Sequence, residues 1–408
     1  MSEGDLAGIS SMNFEISDEQ SLILKQVDRA CKELRPVEDK FYLNHKYNDQ
    51  TKGILGQAHV LGMPISPDYG DGQGIDLLTY ALALERLGRE GGGVRTFVSV
   101  QTSLTMMPIE RWGTPEQKSR YLEPGTKGEK LFAFGLTEPG AGSDPSSMRT
   151  DFEERGGNFV LNGQKTWISN GSVADTVVVF ARPKAPSGGA GGICAFLVDR
   201  DCEGFSSRAI ENKLGLFTSD TGTVYLDNCV VPRDRLLGPR GKGLAVAYGA
   251  LMGGRLSVAA GCVGVIQDCL DEAIRYSMVR TQHGKLIGKH QLVQRHIAVI
   301  AVNLEASRWL TLRAASSWQS HVKSPENVSL RDAADAAIAK AKYFAANASF
   351  DAADRAVQVF GANGYSIENR PARHLIDTRV SRIYEGTDEI LEQKVAVSLL
   401  GRDFEAYS

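Results

Sequence analysis

The chain has 408 residues, 42% of them hydrophobic and 23% charged, with a net charge of −3 and a pI near 6.2. That balance excludes the basic footprint of a nucleic-acid binder and a polybasic membrane patch. Length and apolar content suit a soluble globular chain of two or three sub-domains around a large core.

The acidic, polar start MSEGDLAGISS has neither the basic and apolar segments of a signal peptide nor the arginines of a transit peptide. No apolar run reaches membrane-spanning length, so a cytoplasmic location is expected. Cys31, Cys194, Cys202, Cys229, Cys262 and Cys269 form no CxxC and have no histidine at metal spacing. They are expected to be buried free thiols, with no metal site.

The first third reads as helical. Ser17 and Gln20 form a capping box, and Leu24, Val27, Cys31 and Leu34 recur at helical spacing up to Pro36. Further helices are predicted near residues 51–61, 76–89 and 99–112. The period then switches. Residues 130–136 are a short apolar run before the turn cluster 139–145. Residues 158–168 carry Asn162-Gly163 between apolar arms, which predicts a hairpin. Runs at 176–181, 193–198 and 223–226 predict more strands, with a flexible surface loop at 185–192. Helical periodicity returns from about Gly243, and residues 336–348 are alanine-rich, as suits a packed bundle.

The expected fold is therefore mainly α with a central β domain. It has a helical domain at 1–130, an antiparallel β barrel or sandwich at 131–240 and a helical bundle at 241–408. The order α, β, α argues against a βαβ nucleotide-binding domain, and no GxGxxG follows a strand.

Near the end the chain reads Tyr384-Glu385-Gly386-Thr387-Asp388-Glu389. A carboxylate between an aromatic residue and a glycine can be dried, so that its pKa rises, and closely approached, as a base for a carbon-bound proton must be. A capped helix start with acids in its first turn gives the same pattern, so the segment alone does not separate the two readings.

Other segments do separate them. Phe134-Gly135-Leu136-Thr137-Glu138-Pro139-Gly140-Ala141-Gly142-Ser143-Asp144, then Lys165-Thr166-Trp167-Ile168-Ser169-Asn170, Arg280-Thr281-Gln282-His283-Gly284, Gln291 and Gln358-Val359-Phe360-Gly361-Ala362-Asn363-Gly364-Tyr365 precede it. In this order the set resembles the acyl-CoA dehydrogenase family over essentially the whole chain. The resemblance implies FAD as cofactor, a C-terminal four-helix bundle, a homotetramer whose adjacent subunit completes each flavin site, and an electron-transfer flavoprotein as acceptor.

It also implies roles for residues. Phe134, Leu136, Thr137, Gly142 and Ser143 match the strand and turn along the flavin, and Trp167 and Ser169 the stretch against its ring. Glycines and free N–H groups suit phosphate. Arg280, Gln291, Gln358, Gly361, Asn363 and Gly364 match positions that hold the FAD diphosphate and adenosine across the subunit interface. Thr387 and Glu389 match cofactor positions after the base. A Gly/Ser/Pro turn, a core tryptophan, an exposed arginine and a helix C-cap are the plain structural alternatives. The base that the resemblance implies is Glu385. Some members carry it on a bundle helix just before an arginine, but the matching segment here is Gly253-Gly254-Arg255-Leu256.

Arg95 and Thr96, with Ser143, Arg255, Tyr384 and Gly386, are the expected substrate contacts. The segment around Arg95 looks most like the glutaryl-CoA dehydrogenase branch, in which an arginine there binds the distal carboxylate of the substrate and CO2 can be lost after oxidation. Gly88, His283 and the 213–222 stretch depart from that branch. A small acyl group on a carrier protein, or a short or branched acyl-CoA with Arg95 structural, are the alternatives. A FAD-bearing DNA-binding or regulatory relative would want a basic surface that the acidic balance does not offer.

Overall fold

In this computed structural model the described residues are 15–184 and 192–406, so the N-terminal segment and the loop expected at 185–192 lie wholly or largely outside them. The chain folds as helices, then strands, then helices. The first block holds α1 (Asp18–Leu43), α2 (Thr51–Gln57), α3 (Leu77–Glu90), α4 (Gly92–Ser99), α5 (Met107–Trp112) and α6 (Pro115–Thr126). The capping box at Ser17 forms as read, with Gln20 N–H donating to Ser17 Oγ. α1 does not stop at Pro36 but runs through it to Leu43. Its buried face continues through Glu38 and Tyr42, so tertiary packing outweighs the backbone bond that proline removes. A wide π-helical turn, Val100–Met106, joins α4 to α5 in place of a separate helix start.

The middle block holds β1 (Phe132–Gly135), β2 (Asp151–Arg155), β3 (Asn158–Ser169), β4 (Thr176–Pro183), β5 (Cys194–Asp199), β6 (Phe205–Ala209), β7 (Thr221–Val231) and β8 (Leu236–Leu237). They pair in the order β6-β7-β3-β2-β4-β5-β8, with β1 on β4. Pairing is mostly antiparallel as expected, but β1 and β2 both run parallel to β4. The hairpin predicted at Asn162-Gly163 is not formed. β3 passes straight through it with a bulge, and the turn falls instead at Gly156-Gly157, both at positive φ. Gly163 is needed for another reason: a Cβ there would lie 2.5 Å from Thr150 Oγ1.

The last block is a bundle of α7 (Gly243–Ser277), α8 (Gln291–Lys323) and α9 (Val328–Phe360), with α10 (Arg370–Thr378) and α11 (Asp388–Leu400) against α9. Between α7 and α8, β9 (Thr281–Gln282) and β10 (Lys285–Leu286) form a small ribbon. Contrary to the expectation from apolar runs, α7 is long and apolar enough to cross a membrane, with a mean hydropathy of 1.5 over its best window. That window is 89% buried among its neighbours, the state of a bundle's core helix. α3 lies directly on α7 through glycine contacts: a Cβ on Gly88 would sit 2.4 Å from the Gly261 carbonyl oxygen. The described cysteines are all free, and all but Cys202 are buried.

Candidate active site

α10 is followed by a tight 3-10 turn, Arg379–Arg382, and then by the loop that carries Glu385. The cap of α11 is Thr387, whose Oγ1 accepts the Ile390 N–H at 3.4 Å, and Asp388 and Glu389 are the first-turn acids. Glu385 lies outside that arrangement, so the helix-start reading does not account for it. Its φ is +57°, a left-handed conformation rare for a residue with a side chain, and Gly386 follows at +100°. Arg255 Nε donates to the Glu385 carbonyl oxygen at 2.8 Å, and Lys342 Nζ to that of Gly386 at 2.7 Å.

The carboxylate is the unusual part. Glu385 Oε2 is buried and has no hydrogen-bond partner among the described residues. Burial pushes the group up to about 7, against the pull of the Arg255, Arg95 and Lys342 charges. The space it fills is left by Gly254, where a Cβ would lie 2.5 Å from Oε2 and 2.6 Å from Oε1. Positions 254 and 385, the two places where the base was sought in the sequence, thus converge on one point.

Glu385 opens on a cleft of about 2240 Å³ whose walls include Tyr384, Arg255, Gly386 and Thr387. The facing wall comes from the β domain: Leu136, Thr137, Gly142, Ser143, Trp167 and Ser169. A buried ion pair shapes its turn. Lys165 Nζ donates to Glu138 Oε1 at 2.8 Å and to the Leu136 carbonyl at 3.2 Å, and Glu138 also accepts the Arg149 and Thr150 N–H groups. A register shift of β3 against β7 between Lys165 and Ile168, with φ +59° at Trp167, leaves that indole 61% exposed. A Cβ on Gly142 would meet nothing within 4 Å, so backbone there is open to a ligand.

Other residues singled out in the sequence lie elsewhere. Phe134 packs edge-on against Phe180 and does not line the cleft. Glu389 is exposed on α11 and does not line it either. Arg280, Gln291, Gln358, Gly361, Asn363 and Gly364 gather at the far end of the bundle, and all but Gly364 are exposed. Asn363 Nδ2 donates to Tyr276 Oη at 3.0 Å, the Tyr276 carbonyl accepts the Arg280 N–H, and Gly361 caps α9 at φ +60°. His283 is exposed beside His290, far from a catalytic setting.

Arg95 and Thr96 also stand off the cleft. Arg95 is 5% exposed, donates to Thr96 Oγ1 and to Tyr384 Oη, and lies 5.3 Å from the centre of the Tyr384 ring. Tyr384 therefore forms the wall and Arg95 backs it. The sequence reading missed Lys342. Its one signal was a lysine among the buried alanines of α9, where a charge is costly.

Comparison with known proteins agrees with this geometry. Residues 17–129, 133–229 and 241–400 match the N-terminal, middle and C-terminal domains of acyl-CoA dehydrogenase. The chain belongs to the acyl-CoA dehydrogenase family. The short-chain specific acyl-CoA dehydrogenase of Clostridium acetobutylicum is 36% identical over 95% of this chain and 99% of its own. Butyryl-CoA dehydrogenase from Megasphaera elsdenii superposes with a TM-score of 0.88 at 34% identity, covering 96% of this chain and 100% of its own. Glutaryl-CoA dehydrogenase in its glutaryl-CoA complex also gives 0.88, at 33% identity over 96% and 97%.

Acyl-CoA dehydrogenases are FAD-dependent oxidoreductases. The cleft fits that cofactor. It exceeds the roughly 300–1,000 Å³ of most ligand pockets, it offers a flat exposed indole for the ring system, and open backbone at Gly142. Thr137, Gly142, Ser143, Trp167, Ser169 and Thr387 are the residues that would hold it.

Proposed function

We propose that this chain catalyses α,β-dehydrogenation of a short acyl-CoA thioester with Glu385 as the base. The observation that carries the reading is the Glu385 carboxylate: pushed up to about 7, with Oε2 buried and unpartnered, at the wall of a cleft large enough for two ligands. Such an oxygen is free to take the α-proton, and its raised pKa brings it nearer the acidity of an α-carbon. FAD, when bound, supplies the acceptor for the β-hydrogen. The Glu385 N–H has no backbone partner among the described residues, so it is free to donate to the thioester oxygen as charge develops there. The bound acyl chain would exclude water and raise the carboxylate further.

A second reading rests on Arg95. Its guanidinium is buried and forms no ion pair among the described residues, a costly state that a carboxylate would relieve. A short dicarboxylic acyl group such as glutaryl, with or without loss of CO2, would supply one once Tyr384 turned aside. Against it, α7 fills the space that an acid at position 88 would need, and the short-chain specific relative from Clostridium acetobutylicum and the butyryl-CoA dehydrogenase of Megasphaera elsdenii favour a short-chain substrate. We take the short monocarboxylic acyl group as the substrate, and a homo-oligomer as the working form, in which the exposed Arg280 to Asn363 surface of one subunit meets the cofactor of another. Electrons would pass to an electron-transfer flavoprotein.

Anaerobic mixing with butyryl-CoA and glutaryl-CoA tests the choice. Faster bleaching of the flavin by butyryl-CoA is expected. Faster bleaching by glutaryl-CoA, abolished by Arg95→Ala, would overturn it, and no bleaching by any acyl-CoA would sink the dehydrogenase reading itself.

A further inference from the structure

α9 carries a charge where its neighbours are alanine. Lys342 is 0% exposed, and the adjacent buried positions of the helix are Ala339, Ala341, Ala345 and Ala346. It forms no ion pair among the described residues, and its hydrogen bond is the 2.7 Å contact from Nζ to the Gly386 carbonyl oxygen. Burial lowers the ammonium to about 8. A buried cation on which Asp388 and Glu385 act only at a distance, with no direct ion pair, weakens a fold unless it does something else.

What it holds is the base loop. The Glu385 carbonyl belongs to one peptide plane and the Gly386 carbonyl to the next. Arg255 of α7 fixes the first and Lys342 of α9 the second. Between these two planes lies Gly386 at φ +100°, and Glu385, at +57°, comes immediately before them. Surroundings must enforce a left-handed residue that bears a side chain; the Arg255 bond holds the plane that Glu385 Cα belongs to, the Lys342 bond keeps the flexible Gly386 from swinging that plane round, and the carboxylate lies in the space at Gly254.

We propose that Lys342 is a positioning residue: by holding the Gly386 carbonyl it fixes the Gly386 turn directly after Glu385, and with it the direction in which the carboxylate leaves the loop toward the substrate. The proposal rests on the reading of Glu385 as the base. Lys342 itself touches no reacting atom. The bland alternative is a lysine that merely anchors the start of α11.

The test isolates proton abstraction. 3-Thiabutyryl-CoA can lose its α-proton but has sulfur in place of the β-carbon, so no hydride can leave. Exchange of its α-hydrogens with D2O is followed by mass spectrometry on the FAD-loaded enzyme at saturating ligand. FAD content, thermal midpoint and ligand Kd are measured alongside. Lys342→Met should slow exchange by about tenfold to a hundredfold, as expected for a misplaced base, while FAD content and Kd stay near wild type. Lys342→Gln keeps a donor one atom short and should fall between. Exchange in Lys342→Met at the wild-type rate would overturn the proposal, as would a loss matched wholly by weaker binding. If Lys342→Met does not fold, Lys342→Gln decides: exchange equal to wild type overturns, and slower exchange with unchanged Kd supports. Glu385→Gln is the control. If it exchanges normally the base assignment has failed; if it is dead while Lys342→Met is normal, the positioning role alone has failed.

Discussion

Glu38 and Glu385 are both carboxylates that burial pushes up to about 7. What opposes burial differs. Glu38, on α1, accepts hydrogen bonds from Asn48 Nδ2 and Thr218 Oγ1, one on each oxygen, beside a hollow of about 10 Å³. Glu385 is opposed by charges at a distance, keeps an oxygen without a partner and faces a cleft of about 2240 Å³. A raised pKa is therefore no mark of a base on its own. A free lone pair beside room for substrate is what separates the two, and mutants should part them accordingly.

The largest expected effect is at Glu385. Glu385→Gln should lower acyl-CoA turnover by about 10²- to 10⁴-fold with FAD retained, measured with a dye acceptor; near-normal turnover would refute the assignment. Gly254→Ala should come next, with a loss of about a hundredfold, because its Cβ would overlap the carboxylate and displace it. The clash is with the end of a flexible side chain, and alanine favours the interior of α7 by about 0.5–1 kcal/mol. The thermal midpoint should therefore hold or rise while activity falls; a parallel loss of both would point to a packing role for Gly254. A smaller effect follows from pH. Glu385 must be ionised to accept a proton, so kcat/KM, which reports the free enzyme, should climb with pH up to about 7 and then level, with roughly a tenfold rise per unit on the acid side. A profile flat from pH 5 to 8 would contradict the pKa assigned to the base.

The layer order and the candidate base segment were legible because their signals are local. A switch of period marks the β domain, and Tyr384-Glu385-Gly386-Thr387 sits in one short loop. The parts that tune the base were not, because they act across the fold. Lys342 bonds a carbonyl 44 residues later, and Arg255 one 130 residues later. In sequence Gly254 marks only the absence of a base, whereas in the fold it leaves the hole that the Glu385 carboxylate fills. The neighbours of Arg95 in sequence point to a substrate contact, while its place behind Tyr384 depends on how α4 meets a loop 289 residues on. The Asn162-Gly163 misreading has the same origin: the strand pairs of β3 and the contact with Thr150 decide that backbone, not the dipeptide.

Glu38→Gln gives the smallest change in activity and the clearest contrast. Glu38 lines no part of the cleft, so turnover should stay within about twofold of wild type, as for substitutions outside a catalytic unit. Its effect belongs to stability. The folded carboxyl binds its proton more tightly than the ordinary value of 4.5 allows, up to about 7. Between those values the native state is protonated and the unfolded chain is not, so stability falls as pH rises through the window. Full ionisation of the native group then costs on the order of 3 kcal/mol relative to acid conditions. A neutral amide cannot ionise, so Glu38→Gln should lack this loss. The wild-type thermal midpoint minus that of the variant should drop steadily from about pH 4.5 to 7, while Glu385→Gln alters turnover over the same range. A Glu38→Gln protein that loses turnover as steeply as Glu385→Gln would erase the distinction, since the availability of an oxygen would then not be what sets the base apart.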